Sequence, residues 1–369
     1  MVQVESSSSM SRVVLEPHAQ FDLTAHSRAS SIRSLSISHS KRHRTTLLYV
    51  GTHSGTLFSL SAEDSNDSDD AVLRKLSFLR SVSVSDAAVE SISVIEEFRK
   101  LLLLSDGALF LVDSELSNRA TKLSFPKGVS LVTRRRFRNN GGESEGFGSG
   151  LGSGAGLGLF QKLRMNSMKE GEVQSETGGG CVFAIVVGKR LILAELVLGN
   201  RNGKSGRDDG GALVVLKEIQ CVDGVVSAMV WLNDSIVVGT VNGYSLISCV
   251  TGQSSVIFSL PPDVSWPPRL KLLHKEWRVL LLVDNVGVIV DPHGQPVGGS
   301  LVFRHGLDSM GEIDSYVVVV SDGTIGLYHK RHGGCVQVLP FGGEGVGPCV
   351  VASEEDRGGR LVAVATATK

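Results

Sequence analysis

The stretch from Val225 to Leu260 reads VVSAMVWLNDSIVVGTVNGYSLISCVTGQSSVIFSL. Four short apolar runs alternate here with the turn residues Asn233-Asp234, Asn242-Gly243 and Thr251-Gly252-Gln253. An Asn-Gly pair between strand-like runs favours a tight hairpin, because such turns need positive φ angles that these residues adopt at low steric cost. Three tight turns in succession predict a four-stranded antiparallel meander, which is the form of a propeller blade.

A pattern of an apolar run, a glycine-bearing turn and a second apolar run occurs six times along the chain. Successive turn glycines are 36 to 55 residues apart, except for the interval of 81 residues between Gly107 and Gly188. Repeats of this length are typical of β-propellers. The six turn glycines are Gly55, Gly107, Gly188, Gly243, Gly287 and Gly323.

The long interval contains residues 139–180, a stretch dominated by Gly, Ser and Glu. This composition cannot bury enough apolar surface to offset the entropy of ordering, so we predict a disordered insertion. Residues 200–211 form a shorter insertion of the same kind, and the polar residues 1–12 are predicted to be a disordered N-terminus. A propeller domain over residues 13–369 then contains both insertions.

The two ends of the chain bear on how the ring closes. A seventh unit starts at Pro348 but has only two apolar runs, while Val13–Leu23 holds one strand's worth of residues before the first unit. Propellers commonly pair an N-terminal strand into the last blade, which removes an open sheet edge. We therefore predict an all-β, seven-bladed propeller whose last blade is incomplete and is closed with the N-terminal strand. The missing strands suggest a fragment of a longer protein.

Composition narrows the class of protein. The 369 residues include 37 Lys and Arg against 38 Asp and Glu, so no overall field attracts the chain to nucleic acid. Five cysteines without a C-x-x-C pair indicate a reducing compartment. Apolar runs of about five residues are far shorter than the ~20 needed to span a bilayer, and the polar N-terminus lacks a signal-peptide core. The sequence thus predicts a soluble, cytosolic chain.

No complete P-loop, EF-hand loop, G-x-S-x-G elbow or H-E-x-x-H pair occurs in the sequence. We therefore predict no catalytic residue, no metal and no cofactor. A propeller hydrolase with a site in the central channel stays open as an alternative, because distant residues can assemble a site in space. It would need acidic or histidine side chains on the innermost strands, where Ser91–Ile95 and Val225–Val230 are largely small and apolar.

Two clusters of basic residues are candidates for contact with anionic lipid or a protein partner. A basic residue close to a membrane surface gains about 1 kcal/mol from anionic headgroups. Charged loops that merely keep the protein soluble, and a nuclear or RNA-associated scaffold, are the alternatives. The first cluster, at the root of the long insertion, is Arg134, Arg135, Arg136 and Arg138, and the second is Lys41, Arg42 and Arg44.

Three stretches of the chain resemble the citron-homology (CNH) propeller that opens vacuolar sorting and endosomal tethering subunits. The pattern is most similar to the group of vacuolar sorting protein three and the transforming growth factor-β receptor-associated protein, in a plant version. The three stretches are Glu16-Pro17 through Phe21-Asp22-Leu23 to Ser31–Leu35, Leu48–Thr52 with Ser54–Leu57, and Val350–Ser353 with Arg360–Thr366.

This resemblance implies a non-enzymatic binding module of a CORVET-like endosomal or vacuolar tethering complex that acts in vesicle-mediated protein transport. The implied partners are Rab-type small GTPases, other tethering-complex subunits and the peripheral endosomal membrane, and no nucleic acid is expected. The implied location is the cytoplasm, peripheral to the endosome or vacuole membrane. Members of this group also carry a C-terminal helical solenoid, which is absent from this sequence.

Overall fold

In the computed structural model the described residues are 15, 20–23, 31–40, 45–63, 76–136, 181–198, 211–220, 224–261, 267–303, 306–341, 349–353 and 361–366. They form β-strands and a single 3-10 turn, Glu96–Phe98, so the all-β prediction is confirmed. No helix in this part of the chain is long and apolar enough to cross a bilayer. The predicted disordered segments 1–12 and 139–180 lie outside the described residues, as does 200–210, whereas Gly211 begins a strand.

The first three blades are antiparallel sheets of four strands that follow one another in sequence. Blade 1 comprises β1 (Ile32–Ser40), β2 (Thr45–Thr52), β3 (Thr56–Glu63) and β4 (Leu76–Ser83). Blade 2 comprises β5 (Val89–Ile95), β6 (Lys100–Ser105), β7 (Ala108–Asp113) and β8 (Thr121–Lys127). Blade 3 comprises β9 (Val129–Arg134), β10 (Cys181–Val187), β11 (Arg190–Leu198) and β12 (Gly211–Gln220).

The next three blades repeat this order, and a two-stranded hairpin follows them. Blade 4 comprises β13 (Ala228–Leu232), β14 (Ser235–Thr240), β15 (Gly243–Ser248) and β16 (Ser254–Ser259). Blade 5 comprises β17 (Arg269–Leu273), β18 (Arg278–Val283), β19 (Val286–Val290) and β20 (Leu301–Val302). Blade 6 comprises β21 (Ser309–Ile313), β22 (Tyr316–Ser321), β23 (Thr324–His329) and β24 (Cys335–Pro340), and the hairpin comprises β25 (Cys349–Ser353) and β26 (Val362–Thr366).

The hairpin turns between second and third strands follow the predicted turn chemistry with two exceptions. Asp106-Gly107 and Asp322-Gly323 each have both residues at positive φ, as a type I′ turn requires. Gly243 begins β15, so the turn of blade 4 consists of Val241 and Asn242. Gly287 lies inside β19 rather than in the turn of blade 5. That turn consists of Asp284 and Asn285, with Asp284 at a φ of 55°. Aspartate tolerates the left-handed conformation, so glycine is not needed there.

The first strands of the blades line the axis of the disc. Each packs against the first strands of its two neighbours, and β25 lies between β21 and β1. The prediction of seven blades is therefore corrected: the described residues form six four-stranded blades, with the hairpin in the remaining gap. The physical reason is that only two apolar runs follow Pro348, which gives two strands and not four.

The hydrophobic core is divided into clusters between neighbouring blades. Trp231, which is 1% exposed, fills the seam between blades 3 and 4 together with apolar residues of both sheets. At the seam between blade 6 and the hairpin, Gly311 allows a close approach of the two first strands. A Cβ atom at this glycine would lie 2.7 Å from both Ser353 Oγ and Val351 Cγ1. Burial of apolar side chains between neighbouring blades therefore stabilises the ring.

The N-terminal segment reaches both sides of the hairpin. Leu15 packs between blade 6 and the hairpin, whereas Phe21 and Leu23 pack against blade 1. Leu15 donates its backbone N–H to Gln337 Oε1 (2.9 Å) and accepts from Gln337 Nε2 (3.1 Å). The predicted closing strand is not seen in the described residues, since Leu15 and residues 20–23 have no strand pairing. The side-chain amide of Gln337 makes with the backbone of Leu15 the two hydrogen bonds that a paired strand would make.

Candidate functional site

A cavity of about 220 Å³ lies in the central channel of the propeller. Its wall is built by the first strands of blades 1 to 5 and by β25 of the hairpin. Because strands alternate in direction within each blade, the first strands all end at one face of the disc, which we call the upper face. The polar and charged side chains of the lining are Ser36, Ser93, Thr133, Arg134, Arg136, Lys271, His274 and Ser353.

Arg134 is the last residue of β9, at the upper face, and its side chain contacts blade 2. Its Nη1 donates to the Val94 carbonyl oxygen (2.8 Å), and its Nη2 forms an ion pair with Glu97. The guanidinium therefore ties blade 3 to blade 2 across the channel wall. The sequence predicted a lipid or partner contact for this residue, and the structure places its side chain inside the molecule instead, at 15% exposure.

Arg135 follows Arg134 and points to blade 4. The residue is 7% exposed, and its Nη2 lies 2.9 Å from Asp234 Oδ1. Its backbone N–H donates to the Val182 carbonyl oxygen (2.8 Å). Burial lowers the pKa of the Arg135 guanidinium, and the charge of Asp234 opposes that effect. In this structure Arg135 is therefore a link between blade 3 and blade 4.

The channel brings together four basic side chains from two distant parts of the sequence: Arg134, Arg136, Lys271 and His274. Burial lowers the pKa of His274 to about 2, with further contributions from the positive charges of Arg136, Lys271 and Lys330. Burial also lowers the pKa of Lys271, while Glu312 opposes the shift and Arg136 adds to it. The upper half of the channel is therefore electropositive, and His274 is neutral at physiological pH.

Four of the predicted contact residues, Arg138, Lys41, Arg42 and Arg44, lie outside the described residues. Of the three predicted contact residues that the structure describes, Arg134 and Arg136 line the cavity. The strands that flank these segments, β1 and β9, both end at the upper face. A contact of the basic residues with anionic lipid stays a prediction.

A buried cluster of ion pairs lies next to the cavity lining and contacts the backbone of His274. Lys330 Nζ forms ion pairs with Glu276 Oε2 (2.8 Å) and with Glu312. Glu312 is 3% exposed, and its Oε2 accepts the backbone N–H of His274 (2.6 Å). The backbone N–H of Glu312 donates to Ser353 Oγ (2.6 Å). The cluster thus joins blade 5, blade 6 and the hairpin. Within it, both carboxylate oxygens of Glu312 accept hydrogen bonds.

Sequence reasoning missed Lys271, His274 and Glu312. Each lies in or beside a first strand whose other residues are mostly apolar, and the strands are about 40 residues apart in sequence. The available signal was a charged residue inside a short apolar run, as in Arg269-Leu-Lys-Leu-Leu and Ser309-Met-Gly-Glu-Ile. In a propeller such a residue on a first strand lies next to the axis, where side chains from every blade converge.

The geometry gives little support to the hydrolase alternative. His274 has a pKa far below the range of a general base, and both oxygens of Glu312 are occupied. Burial raises the pKa of the Cys181 thiol to about 11 and that of Cys249 to about 12, which makes both poor nucleophiles. The described part of the chain holds no group of three His, Cys, Asp or Glu side chains that could bind a metal.

The neutral state of His274 predicts an acid-dependent loss of stability. The unfolded chain binds a proton at His274 below a pH of about 6.5, whereas the folded protein does not until about 2. The contribution of His274 to stability is therefore complete above pH 6.5. The free energy of unfolding falls by up to about 1.4 kcal/mol for each pH unit below that value. We expect His274→Asn to reduce the fall in unfolding free energy between pH 7 and pH 4.5, as measured with urea.

The matched control for this experiment is His293→Asn, because His293 is exposed in a loop of blade 5. This variant is expected to follow the pH dependence of the unchanged protein. An identical slope for the unchanged chain and His274→Asn would show that His274 does not lie in an electropositive, buried setting.

Comparisons with known proteins agree with the fold. No family model matches the chain. Vacuolar sorting protein 3 of Arabidopsis thaliana is 44% identical over 374 residues, which cover 98% of this chain and 36% of that protein. The β-propeller domain of Cps50 (Swd1) from Myceliophteria thermophila superimposes with a TM-score of 0.54 at 14% identity, covering 91% of this chain and 96% of the other. The AfRom2 CNH domain gives a TM-score of 0.49 at 14% identity, covering 92% and 95%.

Proposed function

Since this chain is homologous over almost its whole length to part of Vacuolar sorting protein 3, we propose that it is a non-enzymatic binding module in vacuolar and endosomal protein transport. The identity of 44% over 98% of the chain is the observation that carries the proposal. The chain spans about a third of the length of that relative, so the activity of a whole protein of this kind, including assembly into a tethering complex, is part of the proposal.

The propeller suits a binding role because it is a rigid disc with loops on two faces and strands around its rim. The charged side chains of Arg134, Arg135 and Lys330 form ion pairs that link neighbouring blades or adjacent parts of one blade. The proposed location is the cytoplasmic surface of the endosome or vacuole. Contact with the membrane would use the basic residues that the sequence singles out, among them Arg138, Lys41, Arg42 and Arg44, which lie outside the described residues.

The rim offers a surface for the proposed protein partners. The outer strands of blades 4, 5 and 6 together expose five apolar side chains, whereas those of blades 1 and 2 expose one each, Leu79 and Phe125. Fourth strands next to solvent are usually polar. Scattered apolar residues are ordinary on a surface, but a run of them over neighbouring elements is typical of an interaction site. The exposed residues are Val256 (72%) and Phe258 (39%) on β16, Val302 (60%) on β20, and Val336 (45%) and Val338 (48%) on β24. We call this set the rim patch.

We propose that the rim patch binds a Rab-type small GTPase or another subunit of the tethering complex. Immobilised Rab GTPases loaded with GTP or GDP are the probe for the first of these partners. We expect at least tenfold greater recovery of the chain on the GTP form of one such GTPase. The double variant Val256→Ser with Val338→Ser is expected to lose this difference, because both apolar contacts become polar.

A variant on the opposite part of the rim provides the control. Leu79 on β4 of blade 1 is 46% exposed, so Leu79→Ser makes the same chemical change away from the rim patch. This variant is expected to bind as the unchanged chain does. Equal recovery on GTP and GDP forms, or on neither, would argue against a GTPase partner, and equal binding by both variants would exclude the rim patch.

A further inference from the structure

Lys271 is an unusual residue for the wall of a propeller channel. It is the third residue of β17, and the third residues of β13, β21 and β25 are Val230, Gly311 and Val351. Its side chain lines the central cavity. Within the described part of the chain, Lys271 Nζ has neither a hydrogen-bond acceptor nor an ion-pair partner. An ammonium group in such a position is costly unless something neutralises it.

The nearest carboxylate does not serve as that counter-ion. Glu312 is close enough to favour the charged form of Lys271, but its two oxygens accept from Lys330 and from the backbone N–H of His274. Lys330 also holds Glu276. The carboxylates of this region are thus engaged behind the wall, and none of them belongs to the lining of the cavity.

The surroundings of Lys271 add positive charge and donors. Arg136, two residues after the end of β9, lines the same cavity, and its charge disfavours the charged forms of both Lys271 and His274. The imidazole of His274 also lines the cavity and is neutral, so it adds no positive charge beside Lys271. Ser353 and Thr133 add hydroxyl groups to the lining. A guanidinium, an ammonium and hydroxyl groups around one small cavity are the donor set that proteins use for oxyanions.

We propose that the channel of this protein binds a phosphate-type oxyanion, held by Arg136, Lys271 and His274. The volume of about 220 Å³ is far larger than one water molecule needs, so the cavity has room for a phosphate group with part of its hydration. The anion would offset the repulsion between Arg136 and Lys271. It would also be the counter-ion of the Lys271 ammonium group, which forms no ion pair with a described residue. This site is separate from the rim patch and does not depend on a GTPase partner.

Two sources could supply such an anion: free phosphate compounds and the headgroup of a phosphorylated lipid. The cavity recognises the shared chemistry, which is a doubly charged group with several acceptor oxygens. The proposal is tested first with inorganic phosphate, and vesicles that contain phosphatidylinositol phosphates then distinguish the two sources.

The test compares thermal unfolding of the 369-residue chain in sodium phosphate and in sodium chloride at equal ionic strength. We expect phosphate to raise the Tm of the unchanged chain. Lys271→Met keeps the apolar stem and removes the charge, so we expect this variant to unfold at a higher temperature than the unchanged chain in chloride. We also expect it to lose the increment due to phosphate, with affinity at least tenfold lower by calorimetric titration.

Lys122→Met is the matched control, because Lys122 is exposed on β8 at the rim. It is expected to keep the whole phosphate increment. The proposal fails if phosphate does not raise the Tm of the unchanged chain, or if Lys271→Met retains the same increment. Flotation with phosphoinositide vesicles that depends on Lys271 would identify a lipid headgroup as the source, and binding of phosphate without such flotation would identify a free compound.

Discussion

Replacing Lys330 by methionine is expected to lower the free energy of unfolding by about 3–5 kcal/mol, as measured by urea denaturation at pH 7. Lys330 is 7% exposed and neutralises Glu312, which is 3% exposed. Removal of one partner leaves the other charge buried without compensation, and this is far more costly than loss of a surface ion pair. Because the same lysine also holds Glu276 and the Asp314 carbonyl oxygen, three acceptors lose their donor at once.

A second substitution separates the buried charge from simple loss of packing. Glu312→Gln in the Lys330→Met background removes the uncompensated negative charge while it keeps the size of the side chain. We expect the double variant to regain at least about 1 kcal/mol relative to Lys330→Met alone. If Lys330→Met costs less than about 1 kcal/mol, the cluster does not hold blade 5, blade 6 and the hairpin together.

Deletion of residues 1–23 is expected to lower the free energy of unfolding by about 5–8 kcal/mol. Leu15 is partly buried between blade 6 and the hairpin, and Phe21 and Leu23 are partly buried against blade 1. Burial of such side chains contributes roughly 1–2 kcal/mol each. The two hydrogen bonds between Leu15 and Gln337 are lost as well, at about 1 kcal/mol net for each. Thermal unfolding and limited proteolysis of the seam between blade 6 and the hairpin would measure the effect.

Deletion of residues 1–12 is the control, because these residues are predicted to be disordered. We expect this shorter deletion to change the unfolding free energy by less than about 0.5 kcal/mol. If the two deletions have the same effect, the N-terminal segment does not seal the ring, and the hairpin would have to close it without help from Leu15, Phe21 and Leu23.

The blades were predictable because their signals are local. Turn residues such as Asp106-Gly107 and Asn233-Asp234, placed between apolar runs, fix where strands end, and a short loop forces neighbouring strands to be antiparallel. The meander over residues 225–260 was therefore found almost strand by strand, as β13 to β16 show. Gly287 was misassigned because Asp284 can adopt the same left-handed conformation, so the two candidates for that turn had equal local support.

The functional residues were much less predictable. The sequence singled out Arg134 and Arg135 because they are adjacent and charged, yet both are committed to ion pairs with neighbouring blades. It passed over Lys271 and Glu312, which are isolated charges in apolar strands. Whether a charged residue faces solvent, another blade or the axis depends on contacts between residues that are 37 to 99 positions apart in sequence.

The sequence by itself determined the strands, their antiparallel order within each blade and the repetition that makes a propeller, because hydrogen bonding and turn geometry act between neighbours along the chain. Only the tertiary structure decided that six complete blades and a hairpin fill the ring, and that Arg136, Lys271 and His274 share one cavity. These features arise where first strands from distant parts of the chain converge on the axis, and electrostatic interaction at that point depends on distance in space and on burial, neither of which is a local property of the sequence.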